Sequence, residues 1–403
     1  MPTTIDGATI TLLVELGDAT MVLGRDVLGD VMSGQLEGAA DLTCDTITAT
    51  WSWGARTFRR FLTETETGQL TATIDDPERR FDPTNDAGPH YEALRRDRPV
   101  RVLVGADVTS MAGTRYTELP AWTGKVRQWT YDWGTARTTL VAYDALEEAG
   151  RASISTTAPA GTPGHQATAA ATAAGMAVNV EERYTNVQRS THRFGTNLRE
   201  ALLDCRLAAL GHVWCDRSGR LQWADRSHVG KAIVFSGPFL IGCEPGPAVG
   251  SLQATLDRSE LINAVRVDRH DPQGTGLSPF AYRNEPSIAA YGLHPLITSE
   301  EELDLEPAAA QAYSEWAAVV LNDSSGMGQP ADELEVGGVR AEGLGVLQLA
   351  CSDYMAPLWL RFPGYFGRRL NLYGLRATIT PDGWSFELVT GATFGYPGNT
   401  EAH

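Results

Sequence analysis

Lysine is nearly missing from this chain: of its 33 basic residues only Lys125 and Lys231 are lysine, and arginine supplies the rest. No Lys/Arg run is long enough to form the basic face that gripping phosphate backbones requires, and the net charge is −17. A sequence-specific nucleic-acid reader is therefore not expected. Cysteine is also sparse. Cys44, Cys205, Cys215, Cys243 and Cys351 are scattered, odd in number and without C-x-x-C spacing. That leaves neither a disulfide framework nor a zinc site, and points to free, mostly buried thiols in a protein assembled in the cytoplasm. Cys205 and Cys215 are the one pair near enough in sequence to meet across a helix–strand turn. No apolar run approaches the ~18 residues that span a bilayer, and Met1-Pro2-Thr3-Thr4 does not open as a signal peptide does. The eight histidines form no H-x-x-H or H-E-x-x-H pair, and no G-x-S-x-G, P-loop or dinucleotide fingerprint occurs. Ser325-Gly-Met-Gly328 is glycine-rich but follows a helical pattern rather than a strand, the wrong context for cradling phosphate. No catalytic, metal or cofactor-binding residue is expected, and no cofactor.

What is present is β-structure. With 403 residues, 42% hydrophobic and 21% charged, the chain is long enough for two or three domains, each burying its own core. Short alternating runs rich in Thr, Val, Trp and Tyr dominate. Their most regular example is Gly68-Gln-Leu-Thr-Ala-Thr-Ile-Asp-Asp-Pro77, with Leu70, Ala72 and Ile74 on one face of a strand and Gln69, Thr71 and Thr73 on the other. It stops at Asp75-Asp76-Pro77 and again at Phe81-Asp82-Pro83, where proline removes a donor and aspartate caps the turn.

In chain order, residues 1–36 read as an N-terminal arm or short strands. Residues 37–150 form a first β-barrel domain, with strands at Ile47–Gly54, at Val100, Val102 and Val104, and at Thr138–Tyr143. Trp122–Val126 alternates in one register and Trp129, Tyr131 and Trp133 in the other, which places a β-bulge near Gln128. Residues 151–250 are a linker, Ser153–Gly164, followed by a small α+β domain. Its helices are expected over Gln166–Ala174, ending at Gly175, and from Asn197, where Asn197 and Glu200 have capping-box spacing and Gly211 stands at the expected C′ position. His212–Asp216 and Arg220–Trp223 follow as a hairpin. Residues 251–403 are a second β-barrel domain, with a strand over Leu261–Val267, one inserted helix after Pro307, and a closing hairpin. That hairpin sets Leu375, Ala377 and Ile379 against Trp384, Phe386 and Leu388, and echoes Val126–Val141.

Asp75, Asp76, Glu78, Asp82 and Asp86 crowd one loop. Two chemical uses are open to them, an acid–base pair of the glycoside-hydrolase kind or a calcium site, although the spacing is not that of an EF-hand. The third use is turn formation beside proline, which needs no further role. Ten tryptophans likewise admit glycan binding, but most alternate within strands, where core or interface is the simpler use.

Several of these pieces, in order, resemble one family. Asp41-Leu-Thr43, Trp51-Ser-Trp-Gly-Ala-Arg56, Gly68–Pro77 with Arg80-Phe-Asp-Pro83, Gly88-Pro-His-Tyr91, Pro99-Val-Arg101 and Trp122-Thr-Gly124 look like the amino-terminal half of minor tail proteins of long-tailed bacteriophages. Asn263-Ala-Val265, Tyr291-Gly292 and the closing hairpin resemble the second half of tail-hub (baseplate hub) proteins. The likeness spans roughly residues 41–390. It departs at Asp76, where the family often has Asn, and residues 1–36 match nothing in it. The resemblance implies a non-enzymatic virion protein at the tail tip. It implies a homotrimer of chains with two β-barrels plus α+β structure, in contact with a distal tail protein ring, the tape-measure protein and tail-tip or fibre proteins. Such a ring joins a hexameric tail to threefold tip proteins and lets DNA pass. The competing expectation is a β-rich glycan-binding protein or glycoside hydrolase using the Asp75–Asp86 loop.

Overall fold

The computed structural model describes residues 4–5, 8–16, 39–42, 45–56, 64–106, 108–109, 115–116, 119–183, 188–189, 191–209, 211–225, 227–228, 239–241, 248–249, 253–255, 263–270, 276–285, 288–289, 292–299, 303–304, 333–340, 349–360, 368–380 and 383–392. The helix expected after Pro307 and the Ser325–Gly328 segment lie outside them.

The architecture is mainly β. Strands β1 (Ala8–Glu15), β2 (Ala39–Asp41), β3 (Thr46–Gly54), β4 (Glu66–Asp75), β5 (Pro99–Ala106), β6 (Leu119–Asp132) and β7 (Arg137–Tyr143) make up the first half. Alternation decides their faces. Ile10, Leu12 and Val14 of β1, Trp51 of β3, Leu70, Ala72 and Ile74 of β4, and Val100, Val102 and Val104 of β5 all point into one core. The amino-terminal strand is thus an integral wall of that core, paired with β5 along Ala8–Val14. The expected bulge is present: Val141 pairs with Gln128 and Ala142 with Val126, so Arg127 is the extra residue.

Helices α1 (Ala145–Arg151), α2 (Pro163–Ala174) and α3 (Leu198–Ala209) follow, interleaved with β8 (Val178–Glu181), β9 (His212–Cys215) and β10 (Leu221–Ala224). They enclose a second core that includes Leu146, Ala149, Leu198, Leu202, Cys205 and Trp223. Caps set the helix ends. Thr162 Oγ1 accepts from His165 N with Pro163 in the first turn, and Gly175 closes α2 at φ +67°. Asn197 Oδ1 accepts from Glu200 N at 3.0 Å, and Glu200 returns its carboxylate to Thr196 N at 2.8 Å. Gly211 serves differently from the C′ role expected of it. A Cβ there would lie 2.1 Å from the Ala224 carbonyl oxygen, so glycine is needed for close approach to β10. The stretch Ser153–Gly164, expected as a linker, is docked: Ile154 and Ala158 are buried in the second core, and Gly161 pairs with Arg189. Cys205 and Cys215 are both free and buried.

The remaining strands are β11 (Ala264–His270), β12 (Gly276–Arg283), β13 (Pro295–Ser299), β14 (Glu333–Arg340), β15 (Ala356–Leu360), β16 (Arg368–Thr380) and β17 (Gly383–Ala392). β16 and β17 are the expected closing hairpin, with Leu375 opposite Leu388, Ala377 opposite Phe386 and Ile379 opposite Trp384. β11–β13 form a separate small sheet.

No sheet among the described residues closes into a barrel. One ladder runs β1-β5-β6-β7-β4-β3 and continues directly into β16-β17-β14. The physical reason is that β3 has only two edges, and they pair with β4 and β16. The ends of the first-half ladder instead approach through a corner. β2 pairs with β1, and Thr46 N and Oγ1 both donate to Leu42 O as the chain bends into β3.

The β3–β16 seam needs two glycines. A Cβ on Gly374 would sit 2.0 Å from Ala55 O, and one on Gly54 would sit 2.2 Å from Tyr373 O at a φ of +81°. Gly374→Ala is therefore expected to destabilise the chain by roughly 2–4 kcal/mol, as overpacking against backbone does. Gly150→Ala, in α1 with only Arg199 Cδ at 4.0 Å, is expected to stabilise by about 0.5–1 kcal/mol through helix propensity. Urea unfolding midpoints of the two variants check both signs.

Candidate functional site: the acidic turns and their aromatic rim

β5 begins opposite Lys125, so among the described residues the far part of β6, residues 126–132, has no strand beside it on that side. The segment Asp76–Arg98 fills the gap as a succession of turns, with backbone bonds Arg79 N to Asp76 O, Asn85 N to Asp82 O, Gly88 N to Asn85 O and Tyr91 N to Gly88 O. It ends when Asp97 N donates to Val126 O and Val126 N to Arg98 O.

Two aspartates make this segment possible. Asp76 is fully buried; its Oδ1 accepts from Arg80 N at 2.7 Å, and its Oδ2 from Phe81 N at 2.9 Å and Thr138 Oγ1 at 3.0 Å. It caps the turn and ties it to β7. Asp82 accepts Thr84 N and Oγ1 on one oxygen and Arg79 Nε and Nη2 on the other, all at 2.7–2.8 Å. Burial alone pushes the Asp82 carboxyl up, but the Thr84 bonds and the Arg79 guanidinium outweigh it and hold it below the usual carboxylate range. Phe81 drops into the core between His90, stacked at 5.0 Å, and Trp129, stacked at 6.0 Å. Arg79 has φ +57°, gives its carbonyl to Asn85 Nδ2, and lays its guanidinium 4.0 Å from the Trp133 ring centre.

The two buried carboxylates point into separate turns, each occupied by donors of its own segment. Asp75, Glu78 and Asp86 are exposed. Among the described residues no group of three or more His, Cys, Asp or Glu converges as metal ligands do. Turn formation is the use the geometry supports. Buried tryptophans, Trp51, Trp53, Trp122, Trp129, Trp214, Trp223 and Trp384, belong to the cores, whereas Trp133 is 65% exposed. The buried thiols are poor nucleophiles, since burial pushes Cys205 and Cys351 up to about 12.

Two buried groups escaped notice in the sequence. Asp144 caps α1 through Leu146 N and also accepts from Gly68 N at 2.8 Å, joining the start of β4 to the helix. Its signal was Asp followed by Glu147 and Glu148 ahead of a short helix. The other, His212, bonds Tyr354 at 3.2 Å where the second core meets the main one; burial, then His228 and Arg206, push it down to about 3.

Asp76→Ala strips acceptors from two backbone N–H groups and is expected to cost roughly 3 kcal/mol, while Asp75→Ala, at an exposed position, stays within about 0.5 kcal/mol; chemical denaturation checks the contrast. Asp144 gives a pH signature. Burial raises it to about 7, so its contribution to stability is present below the unfolded carboxylate range and is lost as pH rises to about 7. The melting temperature of the native chain, relative to Asp144→Asn, is expected to fall between pH 4 and 7 and then level off. The difference removes the opposing effect of His212, which costs stability as pH falls.

No protein-family model and no curated protein matches this chain. Solved structures do. The 43 kDa tail protein of prophage MuSo2 from Shewanella oneidensis is 14% identical with a TM-score of 0.55, covering 95% of this chain and 98% of its own. A tail protein from Neisseria meningitidis MC58 is 12% identical with a TM-score of 0.55, covering 95% and 96%. Prophage tail protein gp18 from Listeria monocytogenes EGD-e is 11% identical with a TM-score of 0.53, covering 95% and 94%. Nearly end to end, the chain has the fold of these tail proteins.

Proposed function

We propose that this chain is a structural protein of a bacteriophage tail and, more narrowly, a tail-hub subunit. The observation that carries the reading is the extent of the likeness: in each of three tail proteins it covers 95% of this chain. In the hub reading, three copies form a ring at the tail tip, each contributing two related β units. Six similar units then face the hexameric tail, and the threefold symmetry faces the tip proteins. The neighbours are a distal tail protein ring, the tape-measure protein and tip or fibre proteins.

Three further features support it. The β6–β7 and β16–β17 hairpins lie in one ladder, one from each half of the chain, an arrangement compatible with two related β units. The net charge of −17 suits a bore through which DNA slides without adhering. The two buried carboxylates of the turn series, Asp76 and Asp82, are bonded to groups of their own turns and of β7, which favours a structural over a hydrolytic role.

Native mass spectrometry of the full chain is expected to give a species of three times the 43.5 kDa chain mass. A lasting monomer that binds or cleaves glycans would overturn the reading, and so would a bore lined mainly with arginine.

A further inference from the structure

Strand β9 is shared between two cores. Val213 and Cys215 point into the second core, and Trp214 points into the main one. What meets Trp214 there is a turn of the second half, residues 352–355, just ahead of β15. Tyr354, on that turn, is fully buried between the two bodies. Its ring stacks on Trp214 at 5.2 Å and meets Tyr373 of β16 edge-on at 5.6 Å, and its hydroxyl shares a hydrogen bond of 3.2 Å with His212 Nδ1. Beside it, Arg217 Nη1 donates to Cys351 O at 2.7 Å.

The turn that presents Tyr354 is strained. Met355 takes φ +59° without being glycine, a cost that lasts only where the surroundings over-determine the geometry. They do so here: Tyr354 N donates to Asp353 Oδ1 at 2.8 Å, Met355 N to Leu372 O at 2.7 Å and Ala356 N to Asp353 O at 3.0 Å. The backbone thus gives Tyr354 one direction, into the slot beside Trp214. The unit formed by α1–α3 and β8–β10 is tied to the first half elsewhere, where Asp144 joins α1 to Gly68 N. The charged groups that act on His212 are of one sign: Arg206 of α3, buried, and His228. With burial, they hold the imidazole below its ordinary range. The carboxylates nearby are engaged with other groups. Glu181 of β8 bonds His228 Nδ1 at 3.0 Å, and Asp225 accepts from Ser227 N and Arg183 N. The phenols of Tyr354 and Tyr373 stay neutral, since burial pushes both up.

We propose that Tyr354 is the bolt of a latch between the helical unit and the second half of the chain, with His212 as its acid-sensitive catch and the Asp144 tie as its pivot. The latch does not depend on the hub reading. Protonating His212 while the bolt is home sets a further positive charge beside Arg206 and His228; withdrawing the bolt returns the imidazole to water. The docked arrangement therefore loses ground as pH falls below the free-imidazole value of about 6.5, by up to about ten-fold per pH unit for one proton. Asp353, in the same turn and facing Asp216 and Arg217, works the other way. Burial pushes its carboxyl up to about 6, so it favours docking as pH falls through that value. Its effect is common to the native chain and to His212 variants, and cancels between them.

Hydrogen exchange of the full chain, read by mass spectrometry, tests the latch. Peptides over β9 and residues 352–358 are expected to exchange through an opening that leaves β4 and β7 protected. Corrected for intrinsic exchange, that opening is expected to grow in the native chain relative to His212→Gln between about pH 6.5 and 4.5, approaching ten-fold per unit. Tyr354→Phe keeps the ring stack and drops the catch; it is expected to raise the opening roughly five-fold at pH 7, the loss of one hydrogen bond. Should His212→Gln fold poorly, His212→Asn carries the same comparison. Exchange of β9 only together with β4, in global unfolding, overturns the latch. An opening that shifts with pH no more in the native chain than in the His212 variant overturns His212 as its catch.

Discussion

A strand has two edges, and in this chain the second edge of β3 pairs with β16 rather than closing the first half on itself. Gly54 and Gly374 make the contact possible by letting two backbones pass where any Cβ would collide. On either side of that seam the contacts are specific: Thr50 and Thr378 share a hydrogen bond at 3.2 Å, and Trp51 meets Trp384 edge-on at 6.4 Å. The paired residues are more than 300 positions apart. Pairing over such separations is slow because the loop must close before the contacts reward it. Until it forms, β3 presents an open edge with an apolar face, the kind of edge that templates aggregation. The polar outer face of β3, Thr48, Thr50 and Ser52, is consistent with limiting that hazard.

The acidic turns solve a related problem. Where β5 does not reach, β6 needs a cover that shields its core face without supplying a regular ladder. Irregular backbone brings unpaired N–H groups with it, and buried N–H groups must find acceptors. Asp76 supplies two of those acceptor bonds and a third to β7, and Asp82 satisfies the next turn. Phe81 then fills the space a strand residue would have occupied against Trp129. The concentration of aspartate and proline in one loop is a consequence of that covering task.

Much of this was legible in the residues. Period-two alternation located β3–β7 and the closing hairpin with their buried faces, and the one-residue slip near Gln128 located the bulge at Arg127. Capping chemistry located α2 and α3. What could not be read was the pairing of β3 with β16: alternation says which face of a strand is buried but not which strands are neighbours. The docking of Ser153–Gly164 was hidden for a different reason. Proline and glycine composition reports turn propensity, whereas Ile154 and Ala158 are held by packing in the second core. For the site, the turn role of Asp76 and Asp82 was visible in the spacing, but the stacking of Arg79 on Trp133 joins two segments whose proximity only the fold provides.

Backbone strain gathers at the same rim. Arg79 at φ +57° and Ala136 at φ +53° both adopt the left-handed conformation without being glycine, a cost that persists only where surrounding contacts over-determine the geometry. Here they do: Arg79 is held through its carbonyl, its guanidinium and its ring contact, and Ala136 O receives Asp76 N at 3.1 Å. The same contacts fix Trp133: the Arg79 guanidinium lies over its ring, and Asp132 closes the turn beneath it through Gly134 N and Thr135 Oγ1.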